Sequence, residues 1–398
     1  MNSYKLSRAW AEIHLDRFRK NLSSIKEYVG ESTKVMAVIK ADAYGCGVNE
    51  ISKEAVANGA EYLAVACVDE AKQLRRNGIE VPILILGATL LECVEDLFQY
   101  RIIPTVFEQK LPEAISNYAK QHGKTLDIHI KVDTGMGRLG FPYYDDTYQS
   151  SVEEILKISR LDGIRIEGIF THFSNADCPD SETVTKQQFA QFTDLIEKLK
   201  EAGLEIPIRH AANSAATCLY PEMHLDMVRP GIILYGEYPS RYVEERTSLK
   251  LQPVMELKAR VWQVKEVRQG QGISYGKTYC TDSPKKLAAV GIGYADGYFR
   301  TLSNKIRVII NGEFAPQVGN ICMDQTMVDV TEIPSVSYGN EVILVGKSGE
   351  KSISFSEMAA LCGSINYEMM CDTGKRIVKA YFDGNKLLKT VNYMDKIC

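Results

Sequence analysis

Eight short apolar segments recur along the first 240 residues, and this repetition constrains the fold more than any other feature of the sequence. Stretches with helical periodicity separate them, and several, such as VNEISKEAVANG, end in glycine, as helices often do. Eight strands alternating with helices predict a (β/α)8 barrel, and the count of eight favours it over the competing doubly wound open sheet. The segments are VMAVIKA (35–41), YLAVAC (62–67), PILILG (82–87), IIPTVF (102–107), LDIHIKVDT (126–134), IRIEGIFTHF (164–173), IPIRHAAN (206–213) and MVRPGIILYG (227–236).

The character of the sequence changes after residue 240. Strand-like segments such as VMELKARVWQVKEV and NEVILVG are separated by Gly, Asn, Asp and Pro turns, with one late helix near SFSEMAALCG. The early segment AWAEIHL alternates like a strand but precedes the barrel, so we expect it to join the C-terminal sheet. The predicted organisation is an α/β protein with an N-terminal strand (1–15), a (β/α)8 TIM barrel (16–240) and a mostly β C-terminal domain (241–398).

Composition and charge argue against several classes of protein. The 47 Lys and Arg residues against 51 Asp and Glu give a net charge of −4 without a basic stripe, so neither nucleic acid nor membrane is expected as a partner. The N-terminus has no apolar signal core, and no run approaches the roughly 18 apolar residues of a membrane span. The ten cysteines have no metal-binding spacing, so we expect reduced thiols, no metal and a cytoplasmic location.

Polar residues concentrate where the predicted strands end, and barrel enzymes place their catalytic groups at the C-terminal ends of the strands. Each residue alone has an ordinary structural explanation: Lys40 can cap a strand, Ser214 can cap a helix, and Arg229 can pair with a carboxylate. Their shared location predicts an active site. It comprises Lys40 after strand one, Lys131 and Arg138 after strand five, His172 after strand six, Asn213 and Ser214 after strand seven, and Arg229, Gly231 and Ile232 on strand eight.

Two segments match nucleotide-binding motifs only in part. GMGRLG fits the dinucleotide pattern G-x-G-x-x-G, but the following FPYYDD is a poor helix start for a pyrophosphate site. YGKTY contains GKT, yet Gln271 stands where a phosphate-binding loop requires glycine. Neither segment therefore predicts a nucleotide site.

Nine ordered motifs along nearly the whole chain resemble those of the alanine racemases, which are pyridoxal-phosphate enzymes with a barrel followed by a β domain. The resemblance implies the same fold, pyridoxal 5′-phosphate as cofactor, and interconversion of L- and D-alanine. The motifs are VIKADAYG, HIKVDTGMGRLG, EGIFTHFSNAD, HAANSAA, MVRPGIILYG, ISYGKTY, GIGYADG, VGNICMDQ and INYE.

The resemblance assigns most of the strand-end residues to the cofactor. Lys40 matches the lysine that binds the cofactor aldehyde, and Arg229 matches the partner of the pyridine nitrogen. His172 matches a ring beside the pyridine, and His210 matches the group that orients the arginine. The phosphate group is implied to lie among Tyr44, Ser214, the backbone amides of Gly231 and Ile232, and Tyr367, and Asn213 is also expected to bind the cofactor.

Racemisation needs one proton-transfer group on each face of the reacting carbon. The resemblance implies Lys40 for the face that gives the D isomer and Tyr275 for the L isomer, with Tyr275 supplied by the partner subunit. A homodimer with two shared active sites is therefore expected.

Several further residues match supporting positions of the family. Arg138 and Met323, which precedes Asp324, match groups that contact the substrate carboxylate, while Tyr294 and Arg300 match an entrance corridor. Lys131 shares a strand face with His129 and Asp133, so its charge needs a partner, and it matches a lysine that is often carbamylated. The chain departs from the family pattern at Cys46, Asn320 and Lys379.

The predicted activity is alanine racemisation that supplies D-alanine for peptidoglycan. A serine-preferring or broad-specificity racemase is the nearest alternative, although Tyr367 beside the substrate methyl favours alanine. A related decarboxylase would need a cysteine base, for which Cys322 is available. A non-enzymatic pyridoxal-phosphate carrier would lack the C-terminal domain and its tyrosine.

Overall fold

The computed structural model of the chain describes residues 7–144, 147–180 and 182–396. The chain forms two compact units. The barrel unit contains Arg19–Ala43 and Val48–Leu251, and the β unit contains the chain up to Phe18, Tyr44–Gly47 and the chain from Gln252 onward. Within the described ranges, none of the helices combines the length and apolarity that a bilayer crossing requires.

Among the described residues of the barrel unit, eight parallel strands form the barrel sheet, and each overlaps one of the predicted segments. They form two runs of adjacent strands that meet at both ends. Ile85 N donates to Ile103 O at 2.9 Å, and Arg229 N donates to Ala212 O at 2.9 Å, so the sheet closes and the barrel prediction is confirmed. The strands are Lys34–Val38, Tyr62–Val65, Ile83–Ile85, Thr105–Val106, Leu126–Asp133, Ile164–Phe170, Ile208–His210 and Met227–Val228.

Helices alternate with these strands because their apolar residues repeat on one face. In Lys110–His122, Leu111, Ile115 and Ala119 are buried at four-residue spacing, and Gly123 ends the helix with a left-handed φ of 59°. The α-helices are Leu15–Val29, Val48–Ala57, Val68–Arg76, Val94–Gln99, Lys110–His122, Tyr148–Ser159, Glu182–Glu201, Ser214–Leu219 and Arg241–Arg246, with 3-10 turns at Leu91–Cys93, Pro221–Met223 and Ile232–Tyr235 and a short strand at Phe141–Pro142.

The first barrel strand is shorter than the predicted segment 35–41. It ends at Val38, and the segment Lys40–Tyr44 turns in the left-handed sense, with φ of 52° to 55° at Ala41, Asp42 and Ala43. Left-handed backbone costs roughly 1–2 kcal/mol per non-glycine residue. Hydrogen bonds from Ala41 N to Glu70 (2.7 Å) and from Val48 N to Asp42 (2.8 Å) help to offset that cost.

The β unit is built on a ten-stranded sheet. Ala9–His14 pairs antiparallel with residues 255–259 and parallel with residues 378–382. Its helices are Phe355–Cys362 and Asn366–Cys371. The strands of the unit are Ala9–His14, Met255–Val267, Gly272–Ile273, Tyr279–Cys280, Lys285–Val290, Arg307–Ile310, Glu313–Pro316, Thr326–Asp329, Glu341–Ser348, Lys351–Ile353, Val378–Asp383 and Lys386–Val391.

The β unit also contains elements that the sequence did not predict. The helix Asn366–Cys371 follows the one predicted late helix, and Val378–Asp383 and Lys386–Val391 form a C-terminal hairpin. The compact units divide after residues 18 and 251, whereas the sequence placed the boundaries after 15 and 240. The helix Arg241–Arg246 packs against Ser214–Leu219, which keeps residues 241–251 with the barrel unit.

Candidate active site

Burial and four basic side chains at the mouth of the barrel lower the pKa of His172. Burial holds the pKa of His172 well below its usual value, and the charges of Arg229, Arg138, Lys131 and Lys40 lower it further. His172 is therefore a neutral imidazole among four cations. Because like charges held in a partly dry site repel one another, this arrangement favours a ligand with more than one negative charge.

Arg229 is buried, with 3% of its surface exposed, and its guanidinium is held on several sides. Nη2 donates to the carbonyls of Thr171 (2.8 Å) and Ala211 (3.0 Å) and lies 3.4 Å from His172 Nδ1. Nη1 lies 3.1 Å from His210 Nδ1. Burial lowers the pKa of Arg229 to about 9, which still leaves it charged at neutral pH.

The ring of Phe170 lies against the cations of Arg229 and Lys131, and the sequence analysis did not identify it. Its ring centroid lies 5.2 Å from Arg229 Cζ and 5.5 Å from Lys131 Nζ, within the range of cation–π attraction. The imidazole of His210 also stacks on the Phe170 ring, with ring centroids 4.8 Å apart and an interplanar angle of 12°. Phe170 is the last residue of the sixth strand. Its position just before the predicted site residue His172 is the sequence feature that could have identified it.

Lys131 is buried in the strand Leu126–Asp133, in which residues on both faces are buried. Burial lowers its pKa to about 8, and the charges of Arg138, Arg229 and Lys40 lower it too, while Asp133 opposes them. Asp133 also accepts hydrogen bonds from Gly135 N (3.0 Å) and Gly137 N (3.1 Å), so its charge is shared with the turn that carries Arg138.

The ends of strands seven and eight come together at Ser214. Gly231 N donates to Ser214 Oγ at 2.8 Å. Asn213 caps the following helix by accepting from Ala216 N at 3.0 Å, and its predicted contact with the cofactor stays a prediction. Ile232 is fully buried, at the start of the 3-10 turn Ile232–Tyr235.

The remaining predicted residues belong to the β unit. Tyr44 and Tyr367 are neighbours there, with ring centroids 6.0 Å apart. Tyr44 is buried, and burial raises the pKa of its phenol. Tyr367 is half-buried on the helix Asn366–Cys371. The structure thus pairs two residues that stand more than 300 positions apart in the sequence.

Tyr275 projects into solvent from a strained turn of the β unit, with 75% of its surface exposed. The backbone on either side is left-handed, with φ of 58° at Ser274 and 47° at Lys277. Asn320 Nδ2 donates to Tyr275 O at 2.7 Å. Such strain persists only where surrounding contacts hold it, and here one of those contacts is the departure from the family pattern at Asn320.

Two further exposed side chains, Tyr294 and Met323, lie on loops joined by backbone hydrogen bonds. Tyr294 N donates to Cys322 O at 3.0 Å, and Ala295 N donates to Met323 O at 3.1 Å. A Cβ on Gly293 would lie only 2.2 Å from Cys322 O, so only glycine permits this approach. The two loops therefore present Tyr294 and Met323 from one rigid piece of backbone.

Asp324 and Arg300 are exposed in the same unit, and each is tied to a neighbouring loop. Arg376 donates to Asp324 at 2.8 Å and also pairs with the fully buried Asp296. The carbonyl of Arg300 accepts from Ser303 Oγ, which in turn accepts from Ile321 N at 3.0 Å.

Three potential metal ligands meet in the β unit, where the sequence suggested no metal. Atoms of Glu12, His14 and Glu256 lie within 4.8 Å of one another. However, Lys258 Nζ lies 2.8 Å from Glu12 and 3.4 Å from Glu256, and Arg17 donates to Glu256 at 2.9 Å. These two cations already neutralise the carboxylates, so the cluster is explained as an ion-pair network.

Comparison with known proteins gives the same family for both parts of the chain. The family model for the N-terminal domain of alanine racemase matches residues 13–239, and the model for its C-terminal domain matches residues 254–381. The chain is similar to alanine racemase 1 of Clostridium acetobutylicum, with 43% identity covering 97% of this chain and 98% of the relative.

Solved structures agree with this relationship. An alanine racemase from Bacillus anthracis with bound L-Ala-P superimposes with a TM-score of 0.90 and 34% identity, covering 98% of this chain and 99% of that one. A histidine racemase from Leuconostoc mesenteroides has a TM-score of 0.84 and 29% identity, covering 95% and 98%. With both domains matched in order along nearly the full length, the chain belongs to the alanine racemase family.

Proposed function

We propose that the protein interconverts L-alanine and D-alanine with pyridoxal 5′-phosphate as cofactor. The observation that carries the proposal is the set of four cations, Lys40, Lys131, Arg138 and Arg229, acting on a neutral His172. A cofactor phosphate and a substrate carboxylate would together supply the negative charge that this arrangement favours.

The residues of the barrel mouth suit this cofactor. Lys40 offers the amine for the aldehyde at the end of the first strand, and Ser214 and Gly231 bring the loops after strands seven and eight together, where barrels commonly bind phosphate. Tyr44 and Tyr367 would complete the phosphate site, with the amide of Ile232. When bound, the cofactor supplies an electron sink that acidifies the Cα–H bond of the amino acid.

Arg229 would face the ring nitrogen of the cofactor, with His172 packed beside the ring. A guanidinium donates a hydrogen bond without giving up its proton, so the ring nitrogen stays an acceptor. By leaving that nitrogen without a proton, Arg229 would favour return of a proton to Cα over side reactions.

Lys40 and Tyr275 would move the proton on opposite faces of Cα, Lys40 for the D isomer and Tyr275 for the L isomer. Tyr275 stands exposed on the β unit, as expected of a group that completes the site of a partner subunit. We therefore propose a homodimer with two shared sites.

Arg138 and the backbone of Met323 would hold the substrate carboxylate, with Asp324 beside them and Tyr294 and Arg300 at the entrance.

The family relationship and the proposed activity together suggest the physiological role. Production of D-alanine for peptidoglycan in the cytoplasm is the role that we propose. A broader amino-acid racemase is the second candidate, because the similar histidine racemase carries another substrate specificity on the same fold. The C-terminal family match through residue 381 counts against a carrier that lacks this domain.

A racemisation screen tests the proposal directly. The purified protein, supplied with pyridoxal phosphate, is incubated separately with L-alanine, L-serine, L-histidine and L-lysine, followed by chiral separation and a carbon dioxide assay. We expect D-alanine to form fastest, and Lys40→Ala to lose both the reaction and the absorption of the lysine-bound cofactor. Faster turnover of another amino acid would replace alanine as the substrate, and carbon dioxide release without D-isomers would refute racemisation.

A further inference from the structure

A continuous chain of hydrogen bonds runs from Arg229 through the interior of the barrel to Glu167. Arg229 Nη1 lies 3.1 Å from His210 Nδ1, and His210 Nε2 lies 2.9 Å from His129 Nδ1. His129 Nε2 lies 3.2 Å from Glu167 Oε2. Both imidazoles are fully buried, so each ring nitrogen must find its partner within the chain itself.

The chemistry at the two ends fixes the direction of every hydrogen bond in this chain. A guanidinium has only donors, so His210 Nδ1 must accept, and its proton must then reside on Nε2. His129 Nδ1 accepts from that proton, so His129 carries its own proton on Nε2 and donates it to the carboxylate of Glu167. One anion at the far end thus determines the tautomers of two imidazoles.

Packing holds the side chains of this hydrogen-bond series in place. A Cβ on residue 168 would meet the ring of His129 at 2.5 Å, so Gly168 makes room for the imidazole beside Glu167. Phe170 stacks on His210 from the same strand. Tyr62 donates from its hydroxyl to Glu167 Oε1 at 3.2 Å, which leaves Oε2 for His129.

The pKa shifts of Glu167 and His210 are consistent with an ionised carboxylate at one end and a neutral imidazole next to Arg229. Burial of Glu167 opposes ionisation, but hydrogen bonds from His129 and Tyr62, together with the charge of Arg165, leave the net pKa of Glu167 below its usual value. Burial, and then the charge of Arg229, hold the pKa of His210 well below its usual value, so its ring is neutral. Glu167 borders a surface cavity of about 390 Å³, where water can solvate the ionised carboxylate.

We propose that Glu167 is a positioning residue for the reaction, acting on Arg229 through His129 and His210. This inference rests on the proposed function, because it assigns Glu167 to the arginine that would face the cofactor. The hydrogen bonds to His210, Thr171 and Ala211 engage three of the five N–H groups of Arg229. Since the guanidinium is planar, fixing these three also fixes the direction of the remaining two.

Glu167→Gln removes the charge while nearly preserving the shape of the side chain. A glutamine amide can donate to His129 Nε2 as well as accept from it, so the opposite tautomers become accessible to both histidines. His210 would then present an N–H to Arg229, two donors would face each other, and the guanidinium would be displaced. Asp127→Asn is the matched control, because Asp127 pairs with Arg165 at the surface near Glu167 and takes no part in the chain.

The first measurement needs no variant and no turnover. Long-range nitrogen–proton NMR spectra of protein labelled with ¹⁵N-histidine report the tautomer of each of the six histidines, with signals assigned by single substitutions. We expect His129 and His210 both to carry the proton on Nε2 in the wild type. A proton on Nδ1 of either ring, or a cationic ring, would overturn the proposal even if every variant misfolded.

The second measurement compares kinetics and cofactor absorption among the variants. For Glu167→Gln we expect kcat for alanine to fall roughly 10- to 100-fold, with KM nearly unchanged, a shifted absorption band of the bound cofactor and mixed histidine tautomers. Glu167→Asp should recover part of kcat, and Asp127→Asn should match the wild type. Unchanged kcat and absorption in a folded Glu167→Gln variant would refute the inference.

The two proposals fail in distinguishable ways. A wild-type protein that racemises no amino acid refutes the proposed function, whatever the histidine spectra show. A wild-type protein that racemises alanine, combined with a Glu167→Gln variant of equal kcat, refutes only the positioning role of Glu167.

Discussion

Asn320 holds the backbone of Tyr275: its side-chain nitrogen donates to the carbonyl oxygen of Tyr275 at 2.7 Å. The turn that carries Tyr275 is strained on both sides, at Ser274 and Lys277, so it needs such contacts to keep one conformation. The sequence had singled out Asn320 only as a departure from the family pattern. In the structure its side chain holds the backbone of this turn, and we expect that contact to fix the direction in which the phenol projects.

Asn320→Ala should lower kcat by about 10-fold, because a small misplacement of a reacting group is costly in rate. Folding stability should fall by only about 1 kcal/mol, the usual net value of one hydrogen bond. Initial rates in both directions and chemical denaturation measure the two effects. Asn58→Ala is the control, since it removes a comparable 2.8 Å amide-to-carbonyl bond in the barrel unit. Equal kcat for both variants would show that Asn320 does not position Tyr275.

Lys131 is expected to react with carbon dioxide to form a carbamate. Its pKa of about 8 leaves a fraction of neutral amine at physiological pH, and that fraction grows as the pH rises towards 8. The ammonium first loses a proton, and the neutral amine then adds to the carbon of CO₂ and releases a second proton, so a cation becomes an anion near Arg138 and Arg229. The change relieves the crowding of positive charge.

Carbon-13 NMR in the presence of ¹³C-bicarbonate should show one carbamate signal that Lys131→Arg abolishes. Lys258 serves as an internal comparison. Burial disfavours its charge, but hydrogen bonding to Glu12 and the charges of Glu341 and Glu256 leave its pKa raised, so it should stay unmodified. A carbamate signal that survives in Lys131→Arg would contradict the assignment.

Asp296 should make the stability of the protein depend on acid pH. It is fully buried between Arg8 (2.7 Å) and Arg376 (3.0 Å). Burial alone would raise its pKa, but these arginines and the N–H of Gly293 outweigh burial and lower it. Because the folded-state pKa lies below the unfolded value, the stabilisation is present above that unfolded value and is lost as pH falls through the folded pKa.

Asp296→Asn should therefore lower the free energy of unfolding by about 1.5–3 kcal/mol at pH 7, because the neutral amide loses the charge-assisted hydrogen bonds to Arg8 and Arg376. The difference from the wild type should shrink below about pH 4. Urea denaturation across pH measures it. Asp162→Asn, which breaks an exposed ion pair with Lys120, should change stability by less than about 0.5 kcal/mol. A pH-independent loss at Asp296 would point to packing instead of charge.

Periodicity was enough to predict the barrel and the mouth that holds its polar residues. The eight apolar segments correspond to the eight strands, and the rule that catalytic groups follow strand ends pointed to Lys40, His172 and Arg229, which the structure brings within electrostatic reach of one another. Parity along Leu126–Asp133 placed His129 and Lys131 on one face. These features depend on local patterns that recur every two or four residues.

Contacts between distant residues were beyond the same reasoning. Period-two alternation gives the face on which His129 lies but not its partners His210 and Glu167, which come from other strands. The left-handed turn at Ala41–Ala43 was missed because alanine does not favour positive φ, and tertiary hydrogen bonds impose it. The hairpin ending in Lys386–Val391 was missed because its mostly exposed second strand, KLLKTV, shows neither period-two alternation nor a continuous apolar run.

Subunits lacking different catalytic groups test the shared site that we propose. Lys40→Ala removes the group of the barrel unit, and Tyr275→Phe removes the exposed phenol of the β unit, so each homodimer should be almost inactive. In a heterodimer, one site carries both changes and the other carries neither. Random exchange gives half heterodimers, so the mixture should recover about one quarter of the wild-type rate in a symmetric dimer.

Co-expression with two different affinity tags allows the heterodimer to be purified and its rate measured without the parent homodimers. Its expected rate is about half that of the wild type, because one of two equivalent sites is intact. Tyr338→Phe replaces Tyr275→Phe in the control pairing, since Tyr338 is an equally exposed tyrosine of the same unit. That homodimer should be active by itself. A Lys40→Ala and Tyr275→Phe heterodimer with no activity would show that both groups act within one chain, and the shared site would have to be abandoned.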